Sequence, residues 1–149
     1  MPDKKIHEWQ VKRGDLSQVA TFVASEVRSV NPFVLWLKGE LGAGKTTFAG
    51  ELLRALGVPP SVPVLSPTFT FMTEYQTSFG LVAHLDLYRL SDNDDDAVDF
   101  LLSDRNFCGL IIEWPERAAK ANRMHKTHEL TLKFTDHPEA RLIQFYGEK

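Results

Sequence analysis

The chain has 149 residues, 43% hydrophobic and 25% charged, with a net charge of −3 at pH 7, which suits one domain with its own core. The acidic balance argues against a protein that grips nucleic acid unaided over a large surface, and no run approaches the ~20 apolar residues of a membrane span. A lone cysteine, Cys108, rules out an internal disulfide and a cysteine zinc site; with no signal-peptide-like apolar core between Met1 and His7, a reducing, cytoplasmic location is expected.

Ile6 to Val11 reads as a short first strand. Leu16, Val19, Ala20, Val23, Val27 and Val30 then follow the 3.6-residue period of one helix face, with Asp15 or Ser17 as its cap and Asn31-Pro32 as its stop. Phe33-Val34-Leu35-Trp36-Leu37 is a continuous apolar run of strand length, the pattern of a strand covered on both faces of a parallel sheet. Gly39-Glu40-Leu41-Gly42-Ala43-Gly44-Lys45-Thr46 follows and fills every fixed position of the phosphate-binding pattern Gly-x4-Gly-Lys-Ser/Thr. Phe48, Ala49, Leu52, Leu53 and Leu56 next recur at helical spacing, and Gly57 supplies the stop. The motif therefore sits where its chemistry needs it, between a buried strand and a helix.

Pro59, Pro60 and Pro63 make a rigid connection to Ser66-Pro67-Thr68-Phe69. Phe69 to Tyr75 and Leu81 to Tyr88 read as the strands of a hairpin turning at Ser78-Phe79-Gly80. On the second strand, Val82, His84, Asp86 and Tyr88 point one way, and Leu81, Ala83, Leu85 and Leu87 the other. Asp92 to Asp96 caps a short helix carrying Ala97, Val98, Leu101 and Leu102. Gly109 to Ile112 is a buried strand that ends in Glu113-Trp114, and Pro115 to Ala121 is expected to be helical with proline at its first position. Thr127 to Thr135 and Arg141 to Tyr146 form a last hairpin around His137-Pro138. The fold class is α/β: one P-loop NTPase-like domain over residues 1–149, with a mixed central sheet and helices on both faces.

In such a loop, glycines admit backbone turns closed to other residues and aim successive N–H groups at a polyphosphate. Lys45 is placed to reach the β- and γ-phosphates, and the Thr46 hydroxyl suits a magnesium ion. Glu113 closes its apolar strand as a Walker B acid does, so it reads as a metal ligand or a water-orienting base, against the plainer role of capping the next helix. Asp86 reads either as a second functional acid or as a surface partner of Arg89. Thr68 could close over a γ-phosphate like a GTPase switch, although turn chemistry alone accounts for Ser66 and Thr68.

Other signals are rejected. Asp92-x-Asp94-x-Asp96 begins like a calcium loop, but Ala97 stands at the glycine position and Ser103 at the closing glutamate. His125 and His128 lack a partner pattern for zinc. Arg117, Lys120, Arg123, His125, Lys126 and His128 read as a solvated basic face, with a patch for RNA or an acidic partner as the alternative.

Gly-Glu-Leu-Gly-Ala-Gly-Lys-Thr-Thr at 39–47, Ser-Pro-Thr-Phe at 66–69, His-Leu-Asp-Leu-Tyr-Arg at 84–89 and Ile-Glu-Trp-Pro-Glu-Arg at 112–117 together resemble the TsaE (YjeE) family. That family is the bacterial ATPase of tRNA N6-threonylcarbamoyladenosine (t6A) biosynthesis. The resemblance implies a P-loop fold, ATP and Mg2+ as cofactors, and hydrolysis that is slow in isolation. It implies TsaB and TsaD as partners, with tRNA reached indirectly through that complex and no membrane. Carried onto this sequence, it makes Leu41, Gly42, Ala43, Gly44, Lys45, Thr46 and Thr47 the phosphate site. It makes Thr46 and Glu113 the metal ligands and Lys45, Asp86 and Glu113 the catalytic residues, with Thr68 and Trp114 at the nucleotide. The chain departs from the family pattern at Glu40, where aspartate is common, in the acidic stretch 92–96, and at 137–141, where a family Gly-Arg is missing. The rival readings are a small-molecule P-loop kinase and a nucleotide-dependent binding module with negligible turnover.

Overall fold

The computed structural model describes residues 4–67, 69–91, 94–103 and 105–147. Strand β2, Phe33–Lys38, runs through the middle of a seven-stranded sheet. The other strands are β1 (Lys4–Lys12), β3 (Met72–Thr77), β4 (Gly80–Asp86), β5 (Gly109–Glu113), β6 (His128–Phe134) and β7 (Ala140–Gly147). Their order is β1-β7-β6-β2-β5-β4-β3. The centre is parallel: β2 pairs with both β5 and β6, and β5 with β4. The margins are antiparallel, through β3–β4 on one side and β6–β7–β1 on the other. The expected mixed α/β sheet is therefore present.

Alternation along the central strands divides the core in two. Phe33, Leu35 and Leu37 of β2 and Ile111 of β5 face helices α1 (Leu16–Val27) and α2 (Lys45–Ala55). Val34 of β2 and Leu110 and Ile112 of β5 face the short helix α3 (Asp95–Leu102) and the segment 115–124. Every residue of β5 is buried, as a strand covered on both faces must be. Helices thus cover both faces, as the sequence predicts.

Several local expectations are corrected. The strand predicted from Phe69 starts at Met72, because Phe71 takes a positive φ of 65° and Phe69 is exposed. Strand β4 ends at Asp86 rather than Tyr88: the Asp86 carboxylate accepts the Tyr88 N–H at 3.0 Å, which turns the chain. The predicted helix Pro115 to Ala121 is a 3-10 turn over Pro115–Ala118, followed by further single turns. Neither Asp15 nor Asp94 makes a side-chain cap bond at the helix it precedes, and Ser17 lies inside the first turn of α1. Asp92 lies outside the described residues.

Candidate functional site

The phosphate loop takes its shape from two glycines with positive φ, Gly42 at 84° and Gly44 at 109°. Gly44 is the left-handed residue that precedes the first turn of α2, a conformation that costs a side-chain-bearing residue about 1–2 kcal/mol. The Ala43 N–H donates to Glu40 O at 3.0 Å and the Phe48 N–H to Gly44 O at 2.8 Å, closing the loop onto the helix.

Lys45 is buried within this loop. Its Nζ donates to the carbonyls of Gly39 and Glu40, at 2.5 and 3.1 Å. It also lies 4.2 Å from the ring centre of Trp114, so the indole face carries part of its charge. Burial pushes the Lys45 ammonium below the ordinary lysine pKa, against the opposing pull of Glu113, Asp86 and Glu116.

Glu113 stands at the end of β5, in register with Asp86 at the end of β4. Thr46 Oγ1 donates to its carboxylate, 2.9 Å from Oε1 and 3.1 Å from Oε2. His84 Nε2 lies 2.6 Å from Glu113 Oε2. Parallel pairing of β4 with β5 explains the grouping: His84 and Asp86 share one face of β4, two residues apart, and Glu113 projects from the adjacent strand onto that same side. Trp114 follows in a left-handed conformation (φ 59°, ψ 51°) that folds its ring back over Lys45 and places it 4.9 Å from the ring of Tyr88. Such backbone strain in a residue other than glycine costs on the order of 1–3 kcal/mol and persists where the surroundings enforce it.

A cleft of about 440 Å3 joins these groups. Its floor is Leu41 to Thr47, and Asp86, Glu113 and Trp114 line one side. The opposite side comes from the end of β1 with Leu16 and from the β6–β7 hairpin through Glu139 and Arg141. Arg141 Nε donates to Ala43 O at 3.0 Å. The hairpin therefore reaches the phosphate loop although it lacks the family Gly-Arg.

Of the predicted site residues, Leu41, Gly42, Ala43, Gly44, Lys45, Thr46, Thr47, Asp86, Glu113 and Trp114 line this cleft together. Thr68 lies outside the described residues. Sequence reasoning missed His84 as a partner of Glu113, although its place on the Asp86 face was visible. It also missed Arg141 and the β1 end, whose approach depends on the order of distant strands. Among the described residues no group of three or more His, Cys, Asp or Glu side chains is set to hold a metal. The basic segment is partly structural: Arg123 donates to Leu102 O and Arg105 O, and Lys126 to Glu129. Among the described residues no helix is long and apolar enough to cross a membrane.

A buried strand, a glycine loop, a helix, and an acid at the end of the neighbouring parallel strand define a P-loop NTPase fold. The profile of the family described as "Threonylcarbamoyl adenosine biosynthesis protein TsaE" matches residues 11–143. The chain belongs to the TsaE family. Relatives named as tRNA threonylcarbamoyladenosine biosynthesis protein TsaE include one from Aquifex aeolicus, 45% identical over 87 residues, covering 56% of this chain and 59% of the relative. Another, from Synechocystis, is 37% identical over 91 residues, covering 56% and 55%. The matched region thus spans little more than half the length of these relatives. A crystal structure of Bacillus subtilis YdiB superposes with a TM-score of 0.71 over 99% of this chain and 88% of that one; at 24% identity it shows the shared fold.

Proposed function

We propose that this chain is a Mg2+-dependent ATPase of tRNA t6A biosynthesis, acting in the cytoplasm with TsaB and TsaD to support their turnover. The observation that carries the reading is the Thr46–Glu113 pair, 67 residues apart in sequence and joined beside Lys45 at the mouth of the phosphate loop. A hydroxyl and a carboxylate are hard oxygen donors, and magnesium is commonly held by one or two such groups together with phosphate oxygens and water. Thr46 and Glu113 would hold Mg2+, which when bound supplies charge neutralisation at the β- and γ-phosphates.

The rest of the work falls to the chain. Backbone N–H groups of Gly42, Gly44, Lys45 and Thr46 bind the polyphosphate. Lys45 exchanges its carbonyl partners, Gly39 and Glu40, for phosphate oxygens, and Trp114 keeps the ammonium from straying. Asp86 or Glu113 orients the attacking water at the γ-phosphate. Phosphoryl transfer depends chiefly on such positioning and on charge stabilisation. Arg141 braces the loop by holding Ala43 O.

The test is phosphate release from Mg-ATP by this chain, alone and with purified TsaB–TsaD. Slow release alone, stimulation by the partners, and a loss of at least about 100-fold in Lys45→Ala are expected. Unchanged turnover in Lys45→Ala would refute the site. Transfer of phosphate to an acceptor would make the protein a kinase, and a tight ATP complex left unhydrolysed with the partners present would make it a binding module.

A further inference from the structure

His84 is fully buried, yet it does not line the nucleotide cleft. Its Nε2 is 2.6 Å from Glu113 Oε2, and its Nδ1 is buried with no hydrogen-bond partner among the described residues. A carboxylate accepts and cannot donate, so Nε2 carries the proton of this hydrogen bond. The ring lines an adjoining cavity of about 310 Å3 that shares Thr46 and Thr47 with the cleft and is completed by Gly50, Glu51, Arg54, Val64 and Leu65.

The strands explain what the bond does. Glu113 is the last residue of β5, where ladder bonding ends, and its side chain has rotamers to choose from. His84, two register positions back from the Asp86–Glu113 pair, holds Oε2 from the β4 side. Thr46 holds the same carboxylate from α2. Loss of either grip frees the carboxylate to turn toward its charged neighbour Lys45.

We infer that His84 is a positioning residue: without touching nucleotide, it fixes the Glu113 carboxylate against Thr46 and so sets the oxygen geometry offered to a divalent cation. This rests on the metal role proposed above for Thr46 and Glu113. Partners of this kind orient metal-binding groups, and their loss typically costs about 10–100-fold in metal affinity or activity.

Three variants separate positioning from packing. His84→Gln places an amide N–H near the position of Nε2. His84→Asn is polar but too short to reach, and His84→Met fills the space with no donor. Folding is checked by thermal melting. The readouts are Mn2+ affinity at saturating ADP, by titration calorimetry, and kcat and KM for Mg-ATP. His84→Met and His84→Asn should weaken Mn2+ binding about 10–100-fold and lower kcat, while metal-free ADP affinity stays within about twofold. His84→Gln should recover most of the loss. Wild-type Mn2+ affinity in a folded His84→Met or His84→Asn, or a His84→Gln no better than those two, would overturn the positioning role. If the wild-type protein itself binds Mn2+ no better with ADP than without, the metal site fails and this inference fails with it. Should His84→Met not fold, the Gln and Asn pair decides the question.

Discussion

The two faces of the sheet are held by different physics. On one, α1 and α2 bring twelve and eleven residues and lay Val19, Val23, Phe48, Leu52 and Leu53 against the sheet, all at most 1% exposed. On the other, α3 has eight residues, only Val98 and Leu102 are buried among them, and Phe100 is 80% exposed. Here the chain is tied down by directed bonds. Trp36 Nε1 donates to Met124 O, Asp95 and Asp99 accept the N–H groups of Lys120 and Asn122, and Arg123 holds the carbonyls of Leu102 and Arg105. The site takes its fixed parts from the first face, since the phosphate loop opens α2 and Glu113 projects to that side. Trp114, which packs at the margin of the second core, is the part that crosses over.

Removing side chains should expose this difference. The largest expected effect is Phe48→Ala, which empties a fully buried site on α2 and should cost about 3–5 kcal/mol, read as a fall in urea midpoint. Nucleotide binding should weaken with it, because Phe48 anchors the helix that begins at the phosphate loop. Arg123→Ala on the opposite face loses charge-assisted bonds of 2.6 and 2.8 Å to partly exposed carbonyls. It should cost less, about 1.5–3 kcal/mol, and leave nucleotide affinity unchanged. Equal losses of stability and of binding in the two variants would mean that the faces are not distinct in this way.

The same contrast explains what was legible in the sequence. The α1/α2 face is written in local periodicity, and the phosphate loop in local motif, so both helices read correctly, except that α1 ends at Val27 and leaves Val30, read as part of its face, exposed beyond the helix. Glu113 was visible as the polar end of an apolar run. The other face depends on bonds between segments about 20 residues apart, such as Asp99 with Asn122, and 115–121 therefore read as a longer helix than the turn that forms. Phe69 to Tyr75 misled because aromatic and threonine residues favour strands, a preference overridden by the left-handed turn at Phe71. The grip of His84 on Glu113 follows from β4 pairing with β5, and the reach of Arg141 from β7 lying beside β6 and β1. The β6–β7 hairpin was legible, but the β4–β5 and β1–β7 pairings have no local signature.

Lys45 lies where the two faces meet, on α2 but under Trp114, and it supports the subtlest test. Burial holds its folded-state pKa below the unfolded value of 10.5. The sign is thus the reverse of that for a lysine gaining a partner. While Lys45 is protonated in both states, its buried charge opposes folding in full. That opposition fades as pH rises from the lowered value towards 10.5, because the folded state sheds the proton first. Wild-type protein should therefore gain stability relative to Lys45→Met as pH is raised through that window, measured by denaturant melts at matched ionic strength. A bound polyphosphate restores the charge, so ADP affinity of the wild type should fall over the same window, with proton uptake on binding that grows with pH. A stability difference that is flat or moves the other way would show that Glu113, Asp86 and Glu116 outweigh burial, and that Lys45 is held chiefly by its charges rather than enclosed by the two faces.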